Sequence, residues 1–417
     1  MSARIIPLRV LVVLGALSAF GPLSMDLYLP ALPRLAADLD STDSLAQLTM
    51  SACMIGLAVG QLLLGPVSDR FGRRRPLMIG VAAYAGTSLL CALSSDMGVL
   101  IGLRLVQGIA GGAGIVIARA IVRDLHDTNA AAHVFSLLML VSGIAPVLAP
   151  VLGGELLRFT PWPGLFLALA GIGCLLLAAA AFGLPESLPP PRRSSGGLRV
   201  TARQFGTVLH DPRFVGFASV LAMGSVVLFG YISMSPFVLQ DEYGLSAQAF
   251  SYVFAANSVG LVLAGRTGAS LVTRLGASRS LRIGLAGAST SSAALLAAVL
   301  LGAGLPVVLP LLLVAVSNVA LVMPTSTALG MDAHRSRAGT ASGVMGLAQF
   351  GLGGVIAPVV SAIGTTAWLM ALTMTTAALL AVAVERVVVR RWPYTPGTVP
   401  AADDSARDLA TTAGVPS

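Results

Sequence analysis

The sequence contains little charge and no lysine. Only 11% of its 417 residues are charged, whereas about a quarter are charged in an average soluble domain. Hydrophobic residues make up 56% of the chain, and the mean hydropathy is +0.87. This composition excludes a soluble domain and indicates an integral membrane protein. All 26 residues in the Lys+Arg count are arginine, which we interpret as codon bias rather than as a binding site.

Cysteine and histidine are also scarce. Cys53, Cys91 and Cys174 lie in separate apolar runs without the spacing of metal ligands, so we expect neither a metal site nor a disulfide. The four histidines form no cluster. The sequence shows no catalytic triad and no nucleotide-binding loop, which argues against an enzyme or a cofactor-dependent protein.

Long apolar runs are abundant. They extend over about 20 residues without the alternation of barrel strands, which predicts transmembrane helices. We place twelve spans at about residues 8–30, 45–66, 76–95, 98–119, 133–156, 163–184, 213–238, 247–271, 281–302, 306–329, 338–362 and 365–387. The predicted fold class is an all-α membrane protein with twelve transmembrane helices in two six-helix halves.

One longer polar segment divides the chain into these halves. It is rich in proline, serine, glycine and arginine. We predict an N-terminal six-helix bundle at 1–184, a cytoplasmic linker at 185–212, a C-terminal six-helix bundle at 213–390 and a disordered cytoplasmic tail at 391–417. Nothing in the sequence requires more than a monomer in the lipid bilayer.

The arginines orient the chain in the membrane. Four of them follow the second span in the stretch Gly65–Pro76, and nearly all the others fall at the same predicted side. Arginine-rich loops stay in the cytoplasm, so both termini are predicted to be cytoplasmic in a prokaryotic inner membrane. The net charge of +8 is explained by this asymmetry and requires no nucleic-acid partner.

A second arginine hairpin occurs at the corresponding place in the second half. Arg274, Gly276, Arg279 and Arg282 lie between two apolar runs, but Thr273 occupies the position of Asp69. Repetition of one hairpin design predicts two halves of parallel topology.

An intramembrane acid is the strongest functional candidate. Asp26 is the one acidic residue well inside a predicted span, where insertion costs about 2.5–3.5 kcal/mol. Arg104 lies in the fourth span at a similar depth, about 10 Å below the outer surface at 1.5 Å per residue, so contact between them is possible. We interpret the pair as a proton-coupling site. The alternative is a structural pair, or a cap for backbone groups near Pro30.

Two motifs are candidates for gating the transport cycle. In the loop motif, Asp69 is predicted to latch the first half onto the N-terminus of the eleventh helix; the alternative is a solvated surface charge. In the fifth span, prolines and glycines predict a bendable contact with the opposite half, or else a kinked packing helix. The gating candidates are Gly65, Asp69, Arg70, Gly72 and Arg73 in the loop, and Gly143, Pro146, Pro150, Gly153 and Gly154 in the fifth span.

Polar and aromatic residues within the spans are candidates for a substrate cavity. Amides in spans tend to face the interior, whereas aromatic and methionine side chains also suit lipid contact or core packing. The candidates are Tyr28, Gln107, Tyr231, Met234, Asn257, Asn318 and Gln349. The glycine run 108–114 lies in mid-span without a preceding strand, so it predicts close helix packing rather than phosphate binding.

These motifs together resemble the drug:proton antiporters of the major facilitator superfamily. The stretch 65–75 looks like the loop signature G-x-x-x-D-R-x-G-R-R, and 104–108 is similar to the fourth-span R-x-x-Q-G signature. Residues 149–154 resemble the antiporter signature G-P-x-x-G-G, with Ala149 at its first glycine. The stretch 25–33, MDLYLPALP, closely resembles the first span of the Bcr/CflA branch, and 184–188 resembles its exit from the sixth span.

The resemblance implies the major facilitator fold, alternating access to a central cavity, and proton-driven export of small antibiotics of the chloramphenicol or bicyclomycin kind. The expected partners are a small-molecule drug and the lipid bilayer, with the proton as coupling ion. One membrane carboxylate suggests one proton per cycle. The alternative function is a proton-linked exporter or importer of an endogenous metabolite.

Overall fold

The described chain is built from helices. The computed structural model describes residues 8–125, 128–193, 209–332 and 338–391, and the predicted tail from residue 392 onward lies outside them. The helices of the first half are α1 Leu8–Ser18, α2 Phe20–Asp26, α3 Leu32–Asp38, α4 Asp43–Phe71, α5 Arg74–Ala92, α6 Met97–Leu125, α7 Thr128–Leu156 and α8 Pro163–Gly183. Those of the second half are α9 Pro212–Phe237, α10 Ala247–Leu275, α11 Ala277–Leu300, α12 Leu305–Met331, α13 Ala338–Ser361 and α14 Ala367–Arg391. No strand occurs within the described ranges.

These helices are long and apolar enough to cross a bilayer. Ten described helices pass that test, and the first span passes as an eleventh if its bent pieces are joined. The fifth predicted span corresponds to α7, in which Ile144–Leu156 forms a shorter apolar helix. The arrangement agrees with an all-α membrane protein and is consistent with twelve spans.

Proline breaks the first span. The pieces Val10–Ser18 and Phe20–Asp38 meet at an angle of 42°. Pro22 has no N–H to pair with the carbonyl of Ser18, four residues earlier, so the α-helical ladder is interrupted there. Pro30 likewise cannot pair with the carbonyl of Asp26, and α2 ends at that residue. The acid therefore lies at a break between helical segments.

The predicted repeat is visible in the backbone. Helices α4 and α10 are each 29 residues long, and each starts after a side-chain cap, from Thr42 and Ser246 respectively. Each ends at a glycine in the left-handed region, Gly72 with φ 91° and Gly276 with φ 83°, where a Cβ is unfavourable. Equal lengths and equal caps support two halves built on one plan.

Glycines bring α4 and α6 into backbone contact. A Cβ on Gly108 would lie 3.0 Å from the Cα of Gly56, and one on Gly112 would lie 2.9 Å from the backbone nitrogen of Gln61. Only hydrogen fits at such positions. The glycine run in α6 thus forms a helix-packing surface.

The two halves meet on one side of the membrane. We call the side that carries the turn between α4 and α5 the Arg73 side. The contacts between the halves are made chiefly by α4 against α13 and by α7 against α10. Hydrogen bonds join Ser44 to Pro358, Gln47 to Ser361, Ser51 to Gly354, Gln248 to Gly154 and Tyr252 to Glu155. All of these bonds lie toward the side opposite Arg73, which is therefore the closed side.

Candidate functional site

A central cavity lies between the two halves. Its volume is about 570 Å³, within the range of sites that enclose small organic molecules. Its wall is mainly apolar, and the aromatic and methionine side chains in it include Met25, Phe229, Phe254, Met345 and Phe350. The cavity extends from mid-membrane toward the Arg73 side, where Arg119 near the end of α6 lines it.

One face of the first span lines this cavity. The lining residues there are Ser18, Gly21, Pro22, Met25 and Asp26. Their spacing of three or four residues is that of a single helical face. The helical period thus aims the Asp26 carboxylate into the cavity.

The Asp26 carboxylate has no hydrogen-bond or ion-pair partner among the residues that the structure describes. Its side chain is 5% exposed. It is also the only acid among the described residues that line the cavity. A carboxylate in this position is available to a proton or to a bound molecule.

Arg104 occupies a separate buried network. Its guanidinium donates to the backbone carbonyl oxygen of Ser24 at 2.7 Å and to the side-chain oxygen of Gln107. It also lies over the ring of Tyr28, at 4.4 Å from the ring centre. Contact with Asp26, which equal depth allowed, is not formed. Arg104 instead holds α2, through the backbone carbonyl of a residue two positions before the acid.

The helical period separates these two groups. Residues two positions apart differ by about 200° around a helix axis. The hydroxyl of Ser24 bonds to that of Tyr84 at 2.6 Å inside the first half, so Asp26 points the other way, toward the cavity. Tyr28 points inward like Ser24 and bonds to Thr49 at 3.0 Å.

Two of the predicted cavity residues line the cavity, and five do not. Tyr231 and Gln349 line it. The prediction must be corrected for Tyr28 and Gln107, which belong to the Arg104 network, and for Met234, which is fully buried in the core. Asn318 bonds to the carbonyl of Val314 at 2.8 Å and packs near Gly287 of α11. Asn257 lies behind Tyr231 and bonds to its hydroxyl at 2.8 Å.

Sequence reasoning missed several polar residues of the cavity wall. Gln61 on α4, Ser258 on α10 and Thr327 on α12 line it. For Gln61 a signal existed, because it is the one amide in the otherwise apolar stretch 52–67 of α4, and amides within spans tend to face the interior. Nothing in the sequence indicated which face of α10 or α12 is turned to the cavity.

The loop motif forms an ion-pair cluster within the first half. Arg73 contacts Asp69 at 2.5 Å and Asp124 at 2.8 Å, and it donates to the Ser68 hydroxyl at 2.7 Å. Burial alone would lower the pKa of the Arg73 guanidinium, but the two carboxylates raise it above its ordinary value. The cluster joins the ends of α4 and α6 to the start of α5. Arg70 is exposed beside the ring of Phe71, at 5.4 Å from its centre.

A carboxylate after the sixth span completes this cluster. Glu186 accepts hydrogen bonds from the backbone nitrogens of Arg73 at 2.8 Å and Arg74 at 3.2 Å. A Cβ on Gly72 would lie 2.6 Å from a Glu186 oxygen, which explains the glycine beyond its positive φ. The predicted latch between Asp69 and the start of the eleventh predicted span, which is α13, remains a prediction. In this structure Asp69 pairs with Arg73 in its own half. Gly65 lies one turn before Asp69 and accepts from Ser68 at 2.7 Å.

The fifth-span motif lies at the contact between α7 and α10. Pro146 and Pro150 are inside α7, as is Gly143. The carbonyl of Pro146 accepts from Ser258 at 3.3 Å. A Cβ on Gly154 would lie 3.0 Å from the Cβ of Ser251 in the second half, whereas one on Gly153 would overlap the carbonyl oxygen of Leu27 in the first. The two glycines thus serve different contacts.

Comparison with known proteins identifies relatives over most of the chain. A model of the Major Facilitator Superfamily matches residues 14–358. The chain is 37% identical over 360 residues to the uncharacterized MFS-type transporter YdgK of Bacillus subtilis, covering 85% of this chain and 89% of that one. It is 30% identical over 349 residues to a bicyclomycin resistance protein homolog of Haemophilus influenzae, covering 84% and 87%.

A solved structure shares the fold. The nucleoside transporter NupG matches with a TM-score of 0.74 at 15% identity, over 92% of this chain and all of that one. At this identity the likeness concerns the arrangement of helices and not the substrate.

Proposed function

Because the chain belongs to the Major Facilitator Superfamily, a family of membrane transporters, we propose that it exports small antibiotics across the prokaryotic inner membrane in exchange for protons. The carrying observation is the Asp26 carboxylate, which lines the central cavity without a partner among the described residues. Asp26 is the proton carrier of this proposal, and Arg104 positions it by holding α2.

The physical basis is competition for one carboxylate. A buried carboxylate without a partner is costly in its charged form. It is relieved either by a proton or by a substrate group that neutralises it or donates to it. If the two exclude each other, proton entry releases the drug and drug binding releases the proton. One acid then implies one proton per cycle, and a proton moving through about 150 mV supplies about 3.5 kcal/mol, enough for a gradient of a few hundred-fold.

The contacts between the halves support alternating access. The halves meet on the side opposite Arg73, and the cavity extends toward the Arg73 side. We assign the Arg73 side to the cytoplasm because arginine-rich loops remain there, which puts both termini in the cytoplasm. The described conformation is then inward-open, and the loop cluster and the α7–α10 contact are the parts that change during the cycle.

The proposed substrates rest on the cavity and on one relative. A cavity of about 570 Å³ with a mainly apolar wall that includes aromatic and methionine side chains suits small, partly apolar molecules and adapts to several of them. The similarity to a bicyclomycin resistance protein homolog favours an antibiotic over an endogenous metabolite.

Proton coupling can be tested in proteoliposomes that contain the purified protein. We expect a pH gradient to drive uphill chloramphenicol transport by the parent. Asp26→Asn should abolish this accumulation but retain downhill chloramphenicol exchange, because the cavity keeps its shape. Undiminished pH-driven accumulation by Asp26→Asn would overturn the proposed coupling.

Glu385→Gln is a matched control. Glu385 is another buried acid in a predicted span, 4% exposed and 3.9 Å from Arg282, but it is not among the cavity-lining residues. Its neutralisation should leave pH-driven transport intact. Measurements on cells lacking the protein decide the direction of transport. Greater antibiotic susceptibility and accumulation support export, whereas loss of uptake of a nutrient supports an importer.

A further inference from the structure

A tyrosine of the second half faces the same cavity as Asp26. Tyr231 lies on α9 and lines the cavity. Its ring stacks on that of Phe254 from α10, with centres 5.5 Å apart and planes at 17°. Its hydroxyl oxygen accepts a hydrogen bond from the side-chain nitrogen of Asn257, also from α10, at 2.8 Å. Ring and hydroxyl are therefore both held by one neighbouring helix.

The direction of the Asn257 bond determines what the tyrosine can do. A phenol oxygen that accepts one hydrogen bond keeps its own hydrogen for a second bond. The hydroxyl of Ser235, one turn along α9, is buried close to the Tyr231 hydroxyl, but its geometry makes no hydrogen bond with any of the described residues. As the side chains are placed, Ser235 does not accept the tyrosine hydrogen, which remains available to an acceptor in the cavity.

We propose that Tyr231 is the hydrogen-bond donor that the second half contributes to the substrate site, and that Asn257 is the residue that positions it. This inference rests on the proposed function and adds a substrate class to it. The site binds molecules that place a carbonyl or similar acceptor oxygen on the second half, opposite the Asp26 carboxylate. Because the two groups belong to different halves, such a molecule bridges them.

Asn257 supports the tyrosine but does not itself line the cavity. It is 3% exposed and is not among the cavity-lining residues, so it acts on a ligand through Tyr231 only. Phe250, Phe254 and Asn257 are spaced by four and three residues, which places them on one face of α10. Phe250 and Phe254 also contact each other, with ring centres 6.0 Å apart. The face is a continuous support for the tyrosine.

The test measures equilibrium binding to the purified full chain, so it does not depend on proton coupling. The probes are chloramphenicol, which carries an amide carbonyl and a nitro group, and tetraphenylphosphonium, which has no hydrogen-bond acceptor. Tyr231→Phe should weaken chloramphenicol binding about fivefold to tenfold, the value of one neutral hydrogen bond. It should change tetraphenylphosphonium binding less than twofold.

A double-variant cycle tests the positioning role. Asn257→Leu keeps the side-chain size but removes the donor, and it should weaken chloramphenicol binding severalfold. The double variant Asn257→Leu/Tyr231→Phe should bind no more weakly than Tyr231→Phe alone, because Asn257 acts only through the tyrosine. Ser235→Ala, one turn away on the same helix, is the control and should bind chloramphenicol like the parent.

Several outcomes overturn the inference. Equal loss for both probes, or additive losses in the double variant, would show a purely structural role. Unchanged chloramphenicol binding by Tyr231→Phe would show that the tyrosine hydrogen does not contact the ligand. If the parent binds neither probe, the inference and the proposed antibiotic substrates both fail. If binding depends on Tyr231 but Asp26→Asn still pumps on a pH gradient, only the proposed coupling fails.

Discussion

Adjacent glycines near the end of α7 offer a sharp test of how the closed side is held. Gly154 faces the second half, and a Cβ there would overlap the hydroxyl oxygen of Ser251 and lie 3.0 Å from the Ser251 Cβ and 3.3 Å from the carbonyl oxygen of Ala247. Carbon atoms prefer about 3.5–4.0 Å, so Gly154→Ala forces α7 and α10 apart by a few tenths of an ångström. Overpacking of this kind costs about 1–3 kcal/mol.

This cost falls on one conformation only. The contact between Gly154 and Ser251 joins the two halves, so it is lost when the closed side opens. Gly154→Ala should therefore move the equilibrium away from the described conformation by about 5-fold to 150-fold, with little change in unfolding temperature. Gly153→Ala is the matched control, since its Cβ overlaps the Leu27 carbonyl within the first half. It should lower the unfolding temperature instead.

The assay is a distance measurement by electron spin resonance. Spin labels at Phe159→Cys and Ser246→Cys, both exposed near the closed side, in a background without the native cysteines, report the separation of the halves. We expect a longer distance to gain population in Gly154→Ala. The compensating variant Gly154→Ala/Ser251→Gly removes the clashing side chain and should restore the parent distribution. The reasoning is refuted if Gly154→Ala leaves the distances unchanged, or if both glycine variants behave alike.

Two further predictions concern the loop cluster. Gly72→Ala should lower the unfolding temperature more than Gly276→Ala. Both positions require positive φ, which costs an alanine about 1–2 kcal/mol, but only the Gly72 Cβ meets Glu186, at 2.6 Å. Thermal unfolding of both variants checks this, and equal shifts would contradict it. Burial alone would raise the pKa of Glu186, but backbone N–H groups of Leu188, Arg73 and Arg74 and the charge of Arg193 lower it overall. A lowered folded-state pKa contributes stability above the unfolded value of about 4.3 that is lost as pH falls through the folded pKa. Unfolding temperatures measured between pH 3 and 6 should therefore fall less steeply in Glu186→Gln than in the parent, and parallel curves would count against this role.

The sequence by itself determined the features that depend on local chemistry. Apolar run length indicated the membrane helices. The repeated hairpin predicted two related halves, and the structure ends the corresponding helices α4 and α10 at Gly72 and Gly276. The cost of a charge in the membrane singled out Asp26, which does line the cavity. Each of these follows from a few neighbouring residues and the properties of the bilayer. The gating and coupling roles assigned to them remain predictions.

Tertiary structure decided which face of each helix meets which neighbour. Tyr28 and Asp26 are two residues apart, yet one is packed on Arg104 and the other faces the cavity. Gly153 and Gly154 are adjacent, yet one contacts its own half and the other the opposite half. Most of the described spans are apolar on nearly every face, so the hydrophobic period marks the inner face of a helix only weakly. That face is set by contacts between residues far apart in the chain, such as Ser51 and Gly354, and it exists only once the bundle is assembled.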